Sequence, residues 1–280
     1  MGGRARYAFP SMRAARYRWF VVVSAALFLT SVLAMGGPFA PVRLSSTARS
    51  SLPADDAADD TPRPWCAPEL KAIAENGPCF YAGEGDELVV FLHGLVQVGA
   101  GWQHQQQRAI VRGAKREGYS VLMPKGLVDA NPKYPGMVSW PTSAAMQRDH
   151  EKALLAGWHE ALEQLADESR TFSRVYVVGF SNGAYYGASL GLRGAFGLAD
   201  GVAVFAGGGA WGAPPGPRRV PFFVGLCTKD ATHRDAERLV RVLKKAKWPH
   251  RVERRRVGHT MADAHLDHAI IYLRQSAPTR

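Results

Sequence analysis

Short, continuous apolar runs recur along the chain from residue 87 onward. The strongest is at residues 87–92, where five consecutive positions are Leu, Val or Phe. Runs of this length without polar alternation are expected of strands that are buried on both faces of a sheet. Five such strands are predicted, at residues 87–92, 120–124, 174–180, 201–206 and 221–226. A sixth segment, residues 250–257, is charged and alternating, which is typical of a strand at the edge of a sheet.

Helical periodicity occupies the intervals between several of these runs. Apolar residues recur at helical spacing in residues 146–169, 232–247 and 261–273. This alternation of strands and helices predicts an α/β fold with a mostly parallel, doubly wound sheet and helices on both faces. Because crossover connections are right-handed, the carboxyl ends of the strands should meet at one edge of the sheet. Side chains that follow those ends are therefore the first candidates for chemistry.

The first 42 residues have a different pattern. An apolar run at residues 19–35 follows an arginine-rich stretch, and no acidic residue interrupts either part. This layout predicts a signal peptide or a membrane anchor, with attachment through residues 19–35 in the second case. Residues 43–64 are rich in Ser, Asp, Ala and Pro and are expected to form a flexible linker, which leaves residues 65–280 as the folded domain. We expect that domain to be exported, and to be periplasmic, extracellular or anchored outside the cytoplasm.

Composition and charge change this picture little. The chain is 46% hydrophobic and 21% charged, which is ordinary for a globular protein with a sizeable core. The formal net charge is +11, and part of it comes from the N-terminal arginines. The basic residues between positions 238 and 256 fit a solvated helix face followed by a charged edge strand. We therefore expect no nucleic-acid partner.

The three cysteines divide into a pair and a single residue. Cys66 and Cys79 lie close together ahead of the first strong strand. In an oxidising compartment they can close a small disulfide loop that pins the N-terminal arm of the domain. Cys227 lies in an apolar segment, and we expect it to be a buried small hydrophobic residue.

One sequence motif stands at the junction between a predicted strand and a helix rich in small residues. It reads Gly179-Phe180-Ser181-Asn182-Gly183. A serine in such a turn has strained backbone geometry and projects its hydroxyl above the edge of the sheet, and the flanking glycines relieve the crowding of strand against helix. The following helix N-terminus directs its amides towards the place where negative charge develops. The motif predicts that Ser181 is a catalytic nucleophile.

Two later strand ends supply the partners that such a serine needs. His259 follows the edge strand and can reach Ser181 across the sheet edge, where imidazole is a suitable general base because its pKa lies near neutral pH. A carboxylate should orient this histidine and stabilise its protonated form. Asp230 follows the strand at 221–226 and is the best placed acid, while Asp235 is the reserve.

The loop after the first strand, His93-Gly94-Leu95, is the remaining element of this predicted site. Attack on an ester creates an oxyanion, and backbone N–H groups must already point at it. The amides of Leu95 and Asn182 are the predicted donors. His93 itself is expected to brace the loop rather than to transfer protons.

The order of Ser181, Asp230 and His259, together with the loop after the first strand, resembles the α/β-hydrolase family. The resemblance covers the chain from about residue 87 to its end, and it is greatest to compact esterases with little or no cap, including the polyhydroxyalkanoate-depolymerase-like group. It implies a serine hydrolase that cleaves carboxylic esters through an acyl-enzyme intermediate, with neither a cofactor nor a metal. The implied substrate is a small-molecule, lipid or polymer ester. The strands before residue 87 are poorly marked, which departs from the family pattern.

Three aromatic residues on predicted loops are candidates for the substrate-binding wall. They are Trp102, Trp140 and Trp211. Pockets for small molecules are lined mainly by hydrophobic and aromatic side chains, which favours these positions.

Other functions remain compatible with the same residues. A peptidase, a polyester depolymerase or an acyltransferase would use the same triad, because pocket shape and water access separate these activities. A non-catalytic, membrane-tethered binding domain is an alternative from another class. A metal site is a further one, and its candidate ligands are His259, Asp263, His265, Asp267 and His268. Their spacing gives no clear ligand triad, so a polar helix surface is the expected structure.

Overall fold

The structure is a computed structural model that describes residues 64–75, 77–97, 101–209 and 216–277. The strands in these ranges are β1 (Lys71–Ala72), β2 (Cys79–Tyr81), β3 (Glu87–Leu92), β4 (Val96–Gln97), β5 (Ser120–Met123), β6 (Leu127–Val128), β7 (Met137–Ser139), β8 (Arg174–Phe180), β9 (Gly201–Phe205), β10 (Phe222–Cys227) and β11 (His250–Arg255). The helices are α1 (Trp102–Glu117), α2 (Ala144–Asp167), α3 (Asn182–Arg193), α4 (His233–Lys245) and α5 (Asp263–Ser276). The predicted signal or anchor segment and most of the predicted linker lie outside the described residues.

Eight of these strands form one sheet in the order β1-β2-β5-β3-β8-β9-β10-β11. Strands β5, β3, β8, β9, β10 and β11 pair in parallel, whereas β1 and β2 are short and antiparallel. The five predicted buried strands are confirmed as β3, β5, β8, β9 and β10. The charged strand β11 lies at the edge, as its alternation predicted. The predicted α/β fold with a mostly parallel sheet is therefore confirmed.

Helices cover both faces of the sheet because alternate strand residues point in opposite directions. Val90 and Leu92 of β3 belong to a core cluster with α2, α3 and α4. Val89 and Phe91 of the same strand belong to a second cluster with α1 and α5. Each face thus has its own core, and the strands are buried on both sides.

Helix α1 was not predicted, because its buried face is largely polar. Four of its buried residues are Gln103, His104, Gln106 and Gln107. Side chains of this kind interrupt the apolar repeat from which a buried helix is recognised. The loop at residues 125–142 also contains regular structure that was not predicted, since β6 and β7 pair with β4 in a small antiparallel sheet.

The N-terminal arm of the domain is tied to α1 and to the sheet. A disulfide joins Cys66 to Cys79 of β2, which confirms the expected pairing. Gln107 accepts a hydrogen bond from the Ala67 amide at 2.8 Å and donates one to the Trp65 carbonyl at 3.0 Å. Both polar atoms of the buried Gln107 amide therefore have hydrogen-bond partners. Through this residue, the polar face of α1 binds the N-terminal arm.

One further sequence expectation concerns Cys227. Cys227 is buried at the end of β10, and burial raises the pKa of its thiol, in agreement with its predicted structural role. Among the described residues, no helix has the length and apolar character required to cross a membrane.

Candidate active site

Ser181 occupies the sharp turn between β8 and α3. Its φ and ψ angles are 53° and −118°, a conformation that is uncommon for a residue other than glycine. Added Cβ atoms would overlap the backbone at both flanking glycines, with the carbonyl of Gly183 at position 179 and with that of Leu92 at position 183. Glycine is therefore required on both sides of Ser181, because α3 packs directly against the strand ends.

Three predicted residues meet above the edge of the sheet. The Ser181 Oγ lies 2.8 Å from His259 Nε2, and His259 Nδ1 lies 2.8 Å from Asp230 Oδ2. His259 is on the loop between β11 and α5, and its side chain is 44% exposed, whereas the Asp230 carboxylate is 2% exposed. The arrangement is an accessible hydroxyl and imidazole that are held from behind by a buried acid.

The local structure of the turn after β10 fixes the Asp230 carboxylate. Its Oδ1 accepts a hydrogen bond from the Thr232 amide at 2.9 Å, which leaves Oδ2 directed at His259. The reserve acid, Asp235, lies on α4 and accepts a hydrogen bond from the Tyr185 hydroxyl at 2.7 Å. Of the two candidate acids, Asp230 is the one that contacts His259.

The loop after β3 lies directly beside Ser181. A Cβ placed on Gly94 would be 3.1 Å from the Ser181 Cβ, so a larger residue would force the loop and Ser181 apart by a few tenths of an ångström. The Gly94 amide donates to Gln106 Oε1 at 2.6 Å, whereas the next amide, that of Leu95, donates no hydrogen bond to another described residue. Asn182 is the first residue of α3, so its amide has no intrahelical acceptor. Two backbone donors thus flank Ser181.

His93 has a different role from His259 in this arrangement. It is 3% exposed, and its Nε2 accepts a hydrogen bond from the Gly126 amide at 3.1 Å. The proton is therefore on Nδ1, which lies 2.6 Å from the Gly94 carbonyl oxygen and donates to it. Burial lowers the pKa of His93 to about 4, so the ring is neutral at physiological pH. These contacts brace the loop, as expected from the sequence.

A cavity of about 360 Å³ opens beside His259. Its buried wall consists of Phe91, Phe180, Met261 and the polar side chain of Gln106, and its outer part includes Trp102, whose residue exposure is 43%. Trp102 is the first residue of α1 and lines this cavity, while its contact with a substrate stays a prediction. The three apolar side chains of this buried wall suit an acyl or alkyl group.

Two arginines of α1 also line this cavity, and the sequence analysis did not single them out. Arg108 forms an ion pair with Glu69 at 2.7 Å, and Arg112 forms one with Asp263 at 3.2 Å. Their positive charges are thus balanced by carboxylates at the rim.

The prediction that Trp140 contacts a substrate is wrong. Its side chain has 0% exposure, its indole nitrogen donates to the His93 carbonyl at 2.8 Å, and its ring stacks on Tyr186. The Trp140 amide also donates to Asn182 Oδ1 at 2.7 Å. Trp140 therefore packs the loop onto the domain beneath the site. The third predicted contact, Trp211, lies outside the described residues.

The candidate metal ligands are used in other contacts. Asp263 and Asp267 pair with Arg116 of α1, and His268 lies 2.7 Å from Glu253. His265 is fully buried, with its Nε2 3.2 Å from the Glu253 carbonyl oxygen. Within the part of the chain that the structure describes, no group of three or more His, Cys, Asp or Glu side chains is arranged to hold a metal ion.

Comparisons with known proteins give a likeness in structure only. No family model matches the chain, and no curated protein matches it significantly in sequence. A carboxylesterase from Bacillus cereus is similar in structure, with 19% identity, a TM-score of 0.50, and coverage of 71% of this chain and 93% of the esterase. The structure of YahD with malic acid is similar with 16% identity and a TM-score of 0.53, and the match covers 71% of this chain and 98% of YahD.

At these identities the likeness shows the fold alone. The sheet order, the strained serine between β8 and α3 and these two structures together place the chain in the α/β-hydrolase fold.

Proposed function

We propose that the protein is a serine hydrolase that cleaves carboxylic esters through an acyl-enzyme intermediate. The observation that carries the proposal is the chain of two 2.8 Å hydrogen bonds from Ser181 through His259 to Asp230. This is the arrangement by which a weakly nucleophilic hydroxyl becomes reactive at neutral pH. The fold alone would not support an activity, because many unrelated functions share it.

In the first half of the proposed reaction, Ser181 attacks the ester carbonyl while its proton moves to His259 Nε2. The His259 Nδ1–H donates throughout to Asp230, which stays ionised and stabilises the imidazolium. The carbonyl oxygen becomes an oxyanion, which accepts hydrogen bonds from the Leu95 and Asn182 amides. Collapse of this intermediate breaks the bond to the alcohol oxygen, and His259 gives that oxygen its proton.

In the second half, water hydrolyses the acyl-enzyme. His259 Nε2 takes a proton from the water, whose oxygen attacks the acyl carbonyl and recreates the oxyanion. Cleavage of the bond to Ser181 Oγ then releases the carboxylic acid, and His259 returns the proton to the serine. His259 has access to water in its 44% exposed position, which suits this step. The reaction needs no cofactor.

The cavity beside His259 is the proposed substrate site. Its apolar wall of Phe91, Phe180 and Met261 would hold the acyl group, and Trp102 would cover it from the rim. A small-molecule ester fits within about 360 Å³, while a longer lipid or polymer chain would continue past Trp102 into solvent.

We further propose that residues 1–42 export the domain or anchor it outside the cytoplasm. The basic and apolar pattern of that segment supports this, and so does the Cys66–Cys79 disulfide, since such bonds persist in oxidising compartments. A C-terminal fusion to alkaline phosphatase, which is active only outside the cytoplasm, tests it. The fusion should be active with the full chain and inactive without residues 1–42. Equal phosphatase activity in both would refute export.

Active-site labelling tests the hydrolase proposal. The full chain should react with a fluorophosphonate probe, and Ser181→Ala and His259→Ala should both abolish labelling while retaining the circular-dichroism spectrum of the wild type. A folded wild type that does not label would overturn the proposal and favour a non-catalytic binding domain. Labelling that persists in Ser181→Ala would assign the nucleophile elsewhere.

A further inference from the structure

We propose that Gln106 is a positioning residue that aims the Leu95 amide at the reacting carbonyl oxygen. The inference rests on the proposed ester hydrolysis at Ser181 and deepens it, because it assigns a residue of α1 to the control of the oxyanion site. Gln106 lies on the buried face of α1 and also lines the cavity beside His259.

Gly94 is the residue directly before Leu95. Glycine has little conformational preference of its own, so its surroundings must determine its backbone angles. A larger residue would be crowded at this position, because its Cβ would come within 3.1 Å of the Ser181 Cβ and 3.2 Å of the Phe180 ring. The chain therefore has an intrinsically loose residue directly before the predicted oxyanion donor.

Two side chains hold Gly94 at both of its polar backbone atoms. Gln106 Oε1 accepts from the Gly94 amide at 2.6 Å, and His93 Nδ1 donates to the Gly94 carbonyl at 2.6 Å. That carbonyl and the Leu95 N–H belong to the same planar peptide group and point in opposite directions. With both atoms of Gly94 held, the direction of the Leu95 N–H is set. Gln106 controls one of the two restraints.

The NH₂ group at the end of the Gln106 side chain differs from its oxygen in having no partner within the part of the chain that the structure describes. Gln106 is 5% exposed, and its Nε2 is buried without a hydrogen-bond partner among the described residues. Reversing the amide would not help, because it would turn the NH₂ group towards the Gly94 N–H, which is also a donor. A buried unpaired donor is unfavourable for stability. Gln106 thus keeps its contact with the Gly94 amide although its own NH₂ group has no partner among the described residues.

Neighbouring glutamines of α1 provide the contrast. Gln107 uses its amide to bind the Ala67 and Trp65 backbone of the N-terminal arm, which is a structural role. Gln103 is 1% exposed, and neither of its amide atoms has a partner within the described ranges. Gln103 therefore provides a matched control, with the same residue type, helix and burial but without the contact to Gly94.

The test compares Gln106→Met with Gln103→Met in the full chain. Methionine has a similar length and removes the acceptor together with the unpaired donor, so both variants should fold. Active sites are titrated with the fluorophosphonate, and kcat is expressed per titrated site. For Gln106→Met we expect kcat to fall about tenfold to a hundredfold, somewhat less than the loss of an oxyanion donor itself, with KM within about threefold of wild type.

Binding of an arylboronic acid gives the second readout. The boronate forms a tetrahedral adduct with the serine and presents an oxygen to the same amides, so its affinity should fall by a factor similar to that of kcat. Gln103→Met should retain both values. A merely structural role for Gln106 would lower the number of titrated sites and the melting temperature but leave kcat per site unchanged.

Each outcome separates this inference from the proposed function. If wild type hydrolyses esters through Ser181 but Gln106→Met retains kcat per site and boronate affinity, the Gln106 inference is overturned and the hydrolase proposal stands. If the wild type shows no Ser181-dependent turnover, the hydrolase proposal fails, and the inference is overturned with it.

Discussion

The loops that follow β3 and β11 reach the same edge of the sheet, and each contains a histidine. His93, after β3, is buried among backbone partners, and burial lowers its pKa to about 4. His259, after β11, is 44% exposed and lies between a hydroxyl and a carboxylate. The difference teaches that partners and solvent access, rather than residue type, decide which histidine can move a proton. The loop after β3 is held by buried contacts, whereas the loop after β11 presents the exposed imidazole to which we assign the proton transfer.

Replacing each of the two histidines in turn should produce the largest difference in activity. His259→Ala removes the proposed base and should lower kcat/KM by on the order of 10⁵-fold or more, as in other triads. His93→Gln removes only a brace and should lower kcat per titrated site by about tenfold. Hydrolysis of a p-nitrophenyl ester measures both. A comparable loss of kcat per molecule of folded protein in the two variants would contradict the distinction between the loops.

The acid behind His259 should have the next largest effect. Asp230→Asn keeps the shape but holds the imidazole in the wrong tautomer, and kcat should fall about 10³- to 10⁴-fold. Asp235→Asn is the matched control, since Asp235 contacts Tyr185 and Arg238 instead of His259. Steady-state kinetics measure kcat for the two variants. A larger loss of kcat in Asp235→Asn than in Asp230→Asn would show that Asp235, and not Asp230, is the acid that supports His259.

The fixed loop also depends on the N-terminal arm, because Trp65 packs edge-on against the His93 ring with centroids 5.2 Å apart. Replacing both Cys66 and Cys79 by Ala removes the cross-link between residues 13 positions apart. The free energy of unfolding should fall by about 3 kcal/mol, as measured by urea denaturation. Unchanged stability would mean that other contacts of the arm suffice to hold it.

The smallest predicted effect is the pH dependence of stability due to His93. Its pKa is lowered from 6.5 in the unfolded chain to about 4 in the fold, so the unfolded state binds the proton more readily. The contribution of the neutral His93 ring to the stability of the fold is therefore fully present above pH 6.5 and is lost as the pH falls towards 4. When the pH is lowered from 7.5 to 5, the free energy of unfolding of the wild type should fall by about 2 kcal/mol more than that of His93→Gln.

Urea denaturation at both pH values measures this difference. Because the variant retains every other titrating group, the comparison isolates His93. Equal losses in wild type and His93→Gln would mean that the buried ring does not resist protonation.

The candidate site at the edge of the sheet could be predicted from the sequence because the strands and the turn that form it each have a local sequence pattern. Continuous apolar runs revealed the buried strands, and the strained turn around Ser181 requires glycines that the sequence displays. Asp230 and His259 were found because strand order fixes which loops can meet. Their contact at 2.8 Å joins residues 29 positions apart, so the distance itself could come only from the folded chain.

The polar interior was not predictable in the same way. Helix α1 was not predicted from the sequence because its buried face is polar. Two of the glutamines on that face, Gln107 and Gln106, bind the N-terminal arm and the loop after β3, which are distant in sequence. Trp140 was misplaced for a related reason, since a tryptophan on a long loop can either line a pocket or pack the loop down. Its stacking on Tyr186 depends on α3, and no local pattern reports such a contact.

Trapping the acyl-enzyme tests directly whether Ser181 is the nucleophile. The full-length protein is mixed with p-nitrophenyl acetate, quenched in acid within milliseconds and analysed by peptide mass spectrometry. The account predicts a single acetyl group on the peptide containing Ser181, accompanied by a burst of nitrophenol and absent from Ser181→Ala. Acetylation of another residue, or turnover that continues undiminished in Ser181→Ala, would contradict it.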